Sequence, residues 1–259
     1  MKIIEFLKKI FYKSPKIIFI NFYRLILRKR IFNIKRLDID RPAILAINHI
    51  TGADPIIVLA ALKKKIIFLA DSKCFETKIS NFFFSKFTES IPVFKKHFIK
   101  TINTIKEAFA GLNKTNKEKS TKNIFLGIFP EGKLNKKNQL SDFFKGTAYL
   151  SYKLKLPIIP VYISNIFKGP VRKDWFVRRP VIEGLITIFF NQFKKIHIFI
   201  GEPIDPMADN IIQDFQDLAS RQEYKNIIEK INNSLNEEFF KLENESNIVL
   251  EKMSKKNVC

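Results

Sequence analysis

In the run Asn48-His49-Ile50-Thr51-Gly52-Ala53-Asp54-Pro55 an imidazole and a carboxylate stand five residues apart. An imidazole ordinarily titrates near about pH 6.5, so it can take and return protons at neutral pH. A carboxylate on its other nitrogen fixes the tautomer and stabilises the imidazolium as it forms, the pairing used for proton abstraction in hydrolase triads. In a regular helix five residues turn the chain by about 500°, and the two side chains would diverge. They meet only if residues 49–54 make a turn, which Gly52 favours. Asp54-Pro55 also reads as a helix start, with Asp54 as N-cap and Pro55 in the first helical position. A His followed at this spacing by an Asp arises by chance about one time in nine in such a chain.

Other segments are weaker taken singly. Phe129-Pro130-Glu131-Gly132-Lys133 closes an apolar run. Pro130 stops the strand and Gly132 lets backbone approach a ligand, which places Glu131 and Lys133 at the rim where open α/β sheets bind ligands. The same tripeptide is also an ordinary polar turn. Ile91-Pro92-Val93-Phe94 runs into Lys95-Lys96, by itself a solvated charge pair, and Phe144-Lys145-Gly146 leads through a helix into Pro157-Ile158-Ile159-Pro160-Val161, by itself core. His97 lies among lysines and His197 begins a strand, so both read as surface or structural residues. Cys74 and Cys259 form neither a disulfide framework nor a metal pattern, which fits a reducing compartment; Cys74 reads as core and no metal site is expected.

The elements that would position these residues follow from an alternation of apolar runs and helical patterns. Strands are predicted over 43–47, 66–69, 91–94, 124–129, 158–163 and 196–200. Helices are predicted over 55–62, 75–87, 100–112, 142–154 and 211–242, with a solvated loop at 113–123 and a frayed tail of about 15 residues. Continuous Ile/Val/Phe runs separated by helices indicate an α/β fold, a mainly parallel sheet flanked by helices. The boundaries are drawn at 1–35 (an amphipathic helix pair), 36–215 (the α/β domain) and 216–259 (a C-terminal helix and tail).

The chain has 259 residues, 46% of them hydrophobic, which excludes a mainly disordered protein. Its net charge is +21, all of it carried before Met207. That balance suits a polyanionic partner, either nucleic acid or an anionic membrane surface. No apolar stretch reaches the roughly 20 residues of a membrane span, and Lys8, Lys9, Lys13 and Lys16 break any secretory signal. Ile3, Phe6, Leu7, Ile10 and Phe11 repeat at helical spacing, Ser14-Pro15 opens a second segment, and Lys16–Arg30 is again apolar and basic. Two such helices satisfy their apolar faces either on the protein's own core or at a bilayer interface.

Together and in this order, the four segments resemble the glycerophospholipid acyltransferase family, typified by 1-acylglycerol-3-phosphate acyltransferases. Its NHx4D, IPVDR, FPEGTRS and PIxPV patterns are matched by Asn48-His49…Asp54, Ile91–Lys95, Phe129–Lys133 and Pro157–Val161. The similarity covers about residues 35–215, and residues 200–204 (IGEPI) look familial too. The resemblance implies an enzyme that moves a fatty acyl group from a thioester to the free hydroxyl of a lysophospholipid, most simply 1-acylglycerol-3-phosphate to phosphatidic acid. It implies His49 as general base, Asp54 as its orienting partner, and Lys95, Glu131, Gly132 and Lys133 around the glycerol phosphate. The substrate hydroxyl would be the nucleophile, so no protein Ser or Cys is required. Two family arginines are replaced, by Lys95 and Leu134; Lys133 offers a point charge in place of a bidentate fork. No cofactor is implied beyond acyl-ACP or acyl-CoA as co-substrate. The N-terminal helix pair resembles the family's membrane-surface anchor, which implies a peripheral protein at the cytoplasmic face of the cell membrane, with an anionic lipid surface as partner and no nucleic acid. Alternatives are the same chemistry on glycerol-3-phosphate or another lysophospholipid, and a non-catalytic basic module binding anionic lipid or nucleic acid.

Overall fold

The structure, a computed structural model, describes residues 16–94, 98–115, 124–134, 140, 143–167, 180–208 and 221–256. Helix α1 (residues 16–26) leads into strand β1 (Lys29–Phe32), and a short 3-10 turn precedes β2 (Ala43–Ile47) and α2 (Asp54–Leu62). Then come β3 (Lys65–Asp71), α3 (Lys78–Phe82), β4 (Ile91–Val93), α4 (Phe98–Thr115) and β5 (Ile124–Ile128). The chain continues through α5 (Gly146–Leu154), β6 (Ile158–Ser164), α6 (Pro180–Asn191), β7 (Ile196–Ile200) and α7 (Arg221–Lys256). Among the described residues no helix is long and apolar enough to cross a membrane.

The seven strands form one sheet in the order β1-β7-β6-β2-β5-β3-β4, parallel except where β6 meets β7. Central strands β2, β5 and β7 are buried at every position, as a sheet covered on both faces requires. One core joins α1, α2 and α6 to the sheet through Tyr23, Ile56, Ile57 and Ile188; the other joins α4, α5 and α7 through Ile105, Leu150, Leu235 and Phe239. Gly127 in β5 is enforced by packing. A Cβ there would stand 2.5 Å from the Phe68 ring of β3, and overpacking of that kind costs about 1–3 kcal/mol.

The α/β architecture agrees with the predicted one, and the local differences have physical causes. The basic segment Lys16–Arg30 is not one helix: it ends at residue 26, and Lys29–Phe32 joins the sheet edge beside β7, where half its side chains need no apolar cover. Predicted helix 75–87 is divided. A 3-10 turn occupies Ser72–Phe75, Thr77 caps α3 by accepting the Ser80 N–H at 3.2 Å, and Phe83–Phe87 widens into a π turn. Helix α5 starts only at Gly146, and α7 continues through Lys256 where a frayed tail was predicted. Helix α6 was not anticipated: in PVIEGLITIFFN the polar residues Glu183, Thr187 and Asn191 recur at i, i+4 and i+8, but Thr187 and Asn191 are buried while Leu185 and Phe189 face outward, the reverse of an ordinary surface helix. The first predicted helix, the Ser14-Pro15 cap and His97 lie outside the described residues.

His197 of β7 is fully buried, and neither ring nitrogen has a hydrogen-bond partner among the described residues. Burial first, then the nearby Lys195 and Arg30 charges, hold its imidazole below the ordinary value of 6.5. The unfolded chain therefore takes this proton more readily than the fold does. Stability from this group is complete above pH 6.5 and is lost as pH falls toward the folded value. Thermal unfolding compared at about pH 7.5 and about pH 5.5 is expected to show a fall in Tm that is smaller in His197→Leu. An equal fall in the variant would assign the acid sensitivity to other groups.

Candidate active site

Strand β2 ends at Ile47 and delivers His49 to the carboxyl edge of the sheet. Asn48 pins that end: its Nδ2 donates to the Ile163 carbonyl at 3.0 Å, and the Ile163 N–H donates to its Oδ1 at 2.7 Å. The chain then turns tightly and brings His49 Nδ1 to 2.9 Å from Asp54 Oδ2. The same oxygen accepts the N–H groups of Ile50 at 2.7 Å and Thr51 at 2.9 Å, while Oδ1 accepts the Thr51 hydroxyl at 2.9 Å. Asp54 Oδ2 already accepts two backbone N–H groups and so acts as an acceptor toward His49 too; Nδ1 therefore carries the proton and Nε2 is left for a substrate. Asp54 is fully buried, and these four bonds replace the water it has lost.

The N-cap expectation for Asp54 is corrected. Ala53 occupies the cap position and Asp54 opens α2, its carboxylate turned back onto residues 49–51 and away from the helix. The Ala53 N–H is satisfied by Thr51 Oγ1 at 3.1 Å. Gly52 keeps ordinary backbone geometry; among the described glycines only Gly132, at φ 61°, is left-handed.

The segment after β5 lies beside this turn. Phe129 stacks on the His49 ring at 4.0 Å between centroids and 22° between planes, and Phe68 stacks on Phe129 at 5.8 Å. Glu131 does not stand at the rim: it is 1% exposed, and one carboxylate oxygen accepts the His49 backbone N–H at 2.9 Å. Gly132 is exposed, and a Cβ on it would meet the Phe144 ring at 2.9 Å, so the turn and the approach to α5 both exclude a side chain. Lys133 is exposed. Lys95 lies outside the described residues.

His49, Gly132, Lys133 and Leu134 open onto one cavity of about 420 Å³, whose wall also includes Phe68, Phe83, Phe84 and Leu150. Its size is that of a small-molecule pocket, and its lining would hold an aliphatic chain. Cys74 lines it too, half-buried and not in the core. Burial, then Asp71 and Glu76, push its thiol up, so it is not an activated nucleophile. The site sits where β2 is followed by α2 on one face and β5 by α5 on the other, the crevice in which open α/β sheets bind ligands. Among the described residues no group of three His, Cys, Asp or Glu side chains could hold a metal ion.

The sequence pattern of the family described as Acyltransferase matches residues 28–164, from just before β1 to the end of β6. The chain belongs to the acyltransferase family. The match encloses Asn48, His49, Asp54, Lys95 and residues 129–133 of this acyltransferase. No curated protein matches the chain. Among solved structures it is similar to the crystal structure of the 1-acyl-sn-glycerophosphate (LPA) acyltransferase PlsC from Thermotoga maritima, at 18% identity and a TM-score of 0.45, over 81% of this chain and 71% of that one.

Sequence reasoning missed three supports of this acyltransferase's site. The Phe129 ring under His49, the carboxylate of Glu131 on the His49 backbone and the Asn48 clamp all act across long sequence separations. Only the placing of Asn48 and Phe129 directly at strand ends hints at them.

Proposed function

We propose that this acyltransferase esterifies the free hydroxyl of a lysophospholipid, 1-acylglycerol-3-phosphate before others, using the acyl thioester of an acyl carrier protein or coenzyme A. The observation that carries the reading is the His49–Asp54 hydrogen bond at the mouth of an apolar cavity. The acceptor hydroxyl gives its proton to His49 Nε2 as its oxygen attacks the thioester carbonyl. Asp54 stabilises the imidazolium. The tetrahedral intermediate then collapses, the C–S bond breaks, and the departing thiolate takes the proton from His49. Ester and thiol are the products, and no covalent enzyme intermediate forms. The acyl chain occupies the apolar cavity. Lys133 at its mouth, with Lys95, meets the acceptor phosphate as point charges. The basic and apolar N-terminal segment, α1 included, holds the enzyme on an anionic lipid surface at the cytoplasmic face of the cell membrane, where its acceptor resides.

The test offers purified protein a labelled acyl thioester on each carrier, with lysophosphatidic acid, other lysophospholipids and glycerol-3-phosphate as acceptors. Product from lysophosphatidic acid in clear preference supports the reading. Product from another acceptor alone keeps the chemistry and moves the substrate. No product from any pairing by folded protein overturns it.

A further inference from the structure

Helix α6, which the sequence did not announce, carries an outward face that nothing among the described residues covers. Leu185, Phe189 and Phe193 recur at i, i+4 and i+8 and are 54%, 57% and 65% exposed, with Phe193 in the turn after the helix. The Phe189 ring meets Phe190 and Phe193 edge to face at 5.5 and 5.6 Å, so the aromatics form one ridge. Soluble monomers rarely keep such a cluster in water unless it is an interaction surface. Lys194 and Lys195, both exposed, follow at once. Helix α1 lies on the same side of the sheet, because the buried residues of both helices share one core, and it too turns Ile18, Phe22 and Leu25 outward.

We propose that α6 and its trailing turn are a bilayer-contacting element that works with α1 to rest the catalytic face on an anionic lipid surface. Charge selects the occupant. A chain of net charge +21 repels a second copy of itself and is drawn to anionic headgroups. Aromatic rings followed by lysines are also the composition of an interfacial helix, the rings at the acyl boundary and the ammonium groups among phosphates. The ridge is coupled to the chemistry. A Cβ on Gly184 of α6 would stand 3.6 Å from the carbonyl oxygen of Gly52, a residue of the His49–Asp54 turn that lines the cavity. From Gly184 to Phe189 is about 7.5 Å along the helix axis. Seating the ridge in a bilayer therefore brings the cavity to the surface from which a single-chain lipid leaves. The proposal rests on the lysophospholipid reading above only for that last step.

The test measures vesicle binding separately from catalysis, on the full chain. Phe189→Ser/Phe193→Ser alters exposed side chains only. Its partition onto phosphatidylglycerol-containing vesicles is expected to fall about tenfold or more. Acyl transfer to an acceptor presented in those vesicles should fall with it, while transfer to a short-chain acceptor below its micelle concentration stays within about twofold. In a Trp175→Phe background, Phe193→Trp fluorescence should shift to the blue when vesicles are added. Undiminished partition of the double variant, or no blue shift, overturns the proposal, as does failure of the wild type to bind vesicles. A wild-type dimer that the double variant dissociates, with vesicle binding retained, gives the face to a second copy and also overturns it. Vesicle binding that depends on the ridge, in a protein that acylates no lysolipid, supports the surface and removes the substrate reading.

Discussion

His49→Ala is expected to lower kcat for acyl transfer by about 10²–10⁴-fold, the usual contribution of a positioned general base. The proton leaves the acceptor hydroxyl only as attack begins, so kcat and kcat/KM should fall together. The fold should survive, because Asp54 keeps its bonds to Ile50 and Thr51 when the imidazole is gone. Steady-state kinetics with a Tm beside the wild type checks both statements. A variant with unchanged kcat and raised KM would make His49 an acceptor-binding residue, and full activity would remove it from the mechanism.

Asp54 separates into two effects through two substitutions. Asp54→Ala strips the acceptor from the His49 ring, two backbone N–H groups and the Thr51 hydroxyl, in a place water does not reach. Unsatisfied buried donors cost about 1–3 kcal/mol each, so a loss of about 3 kcal/mol or more is expected. In a chain of this size that is a Tm lower by about 6–12 °C. Asp54→Asn keeps a carbonyl acceptor in the same position and should unfold within a few degrees of wild type. It carries no charge to stabilise the imidazolium, so its kcat should still fall about 10²-fold or more. An Asp54→Asn enzyme that is stable and fully active would leave Asp54 a structural residue alone.

The legibility of the site divides along sequence distance. His49 and Asp54 were readable because their partners lie within five residues, and the turn that joins them satisfies its donors internally. The misreading of Asp54 as a cap came from the same locality: Asp-Pro at a helix start looks identical whether the carboxylate faces forward or back. Asn48 could not be seen as a clamp, since the backbone it holds is 115 residues on. Glu131 was expected among polar rim residues because a charge after a strand end is normally solvated; only the fold supplies the His49 N–H that draws it inside. The parallel sheet was legible from Ile44, Phe125 and Ile198 and their apolar neighbours. Strand β1 was not, since its Lys29 and Arg30 mimic the basic helix before it, and α6 was not, since its polar Thr187 and Asn191 lie on the buried side and its phenylalanines outside.

Gly127 shows how a position without a side chain governs the placing of the proposed base. Because nothing projects there, the Phe68 ring packs directly against Gly127 of β5, Phe129 stacks on Phe68, and the His49 imidazole stacks on Phe129. The Asp54 bond sets the edge of the imidazole and the stack sets its plane, so the two together orient the ring. In the proposed reaction, the direction from which an alcohol approaches is thus inherited, through a pile of planar surfaces, from a vacancy three layers below the imidazole.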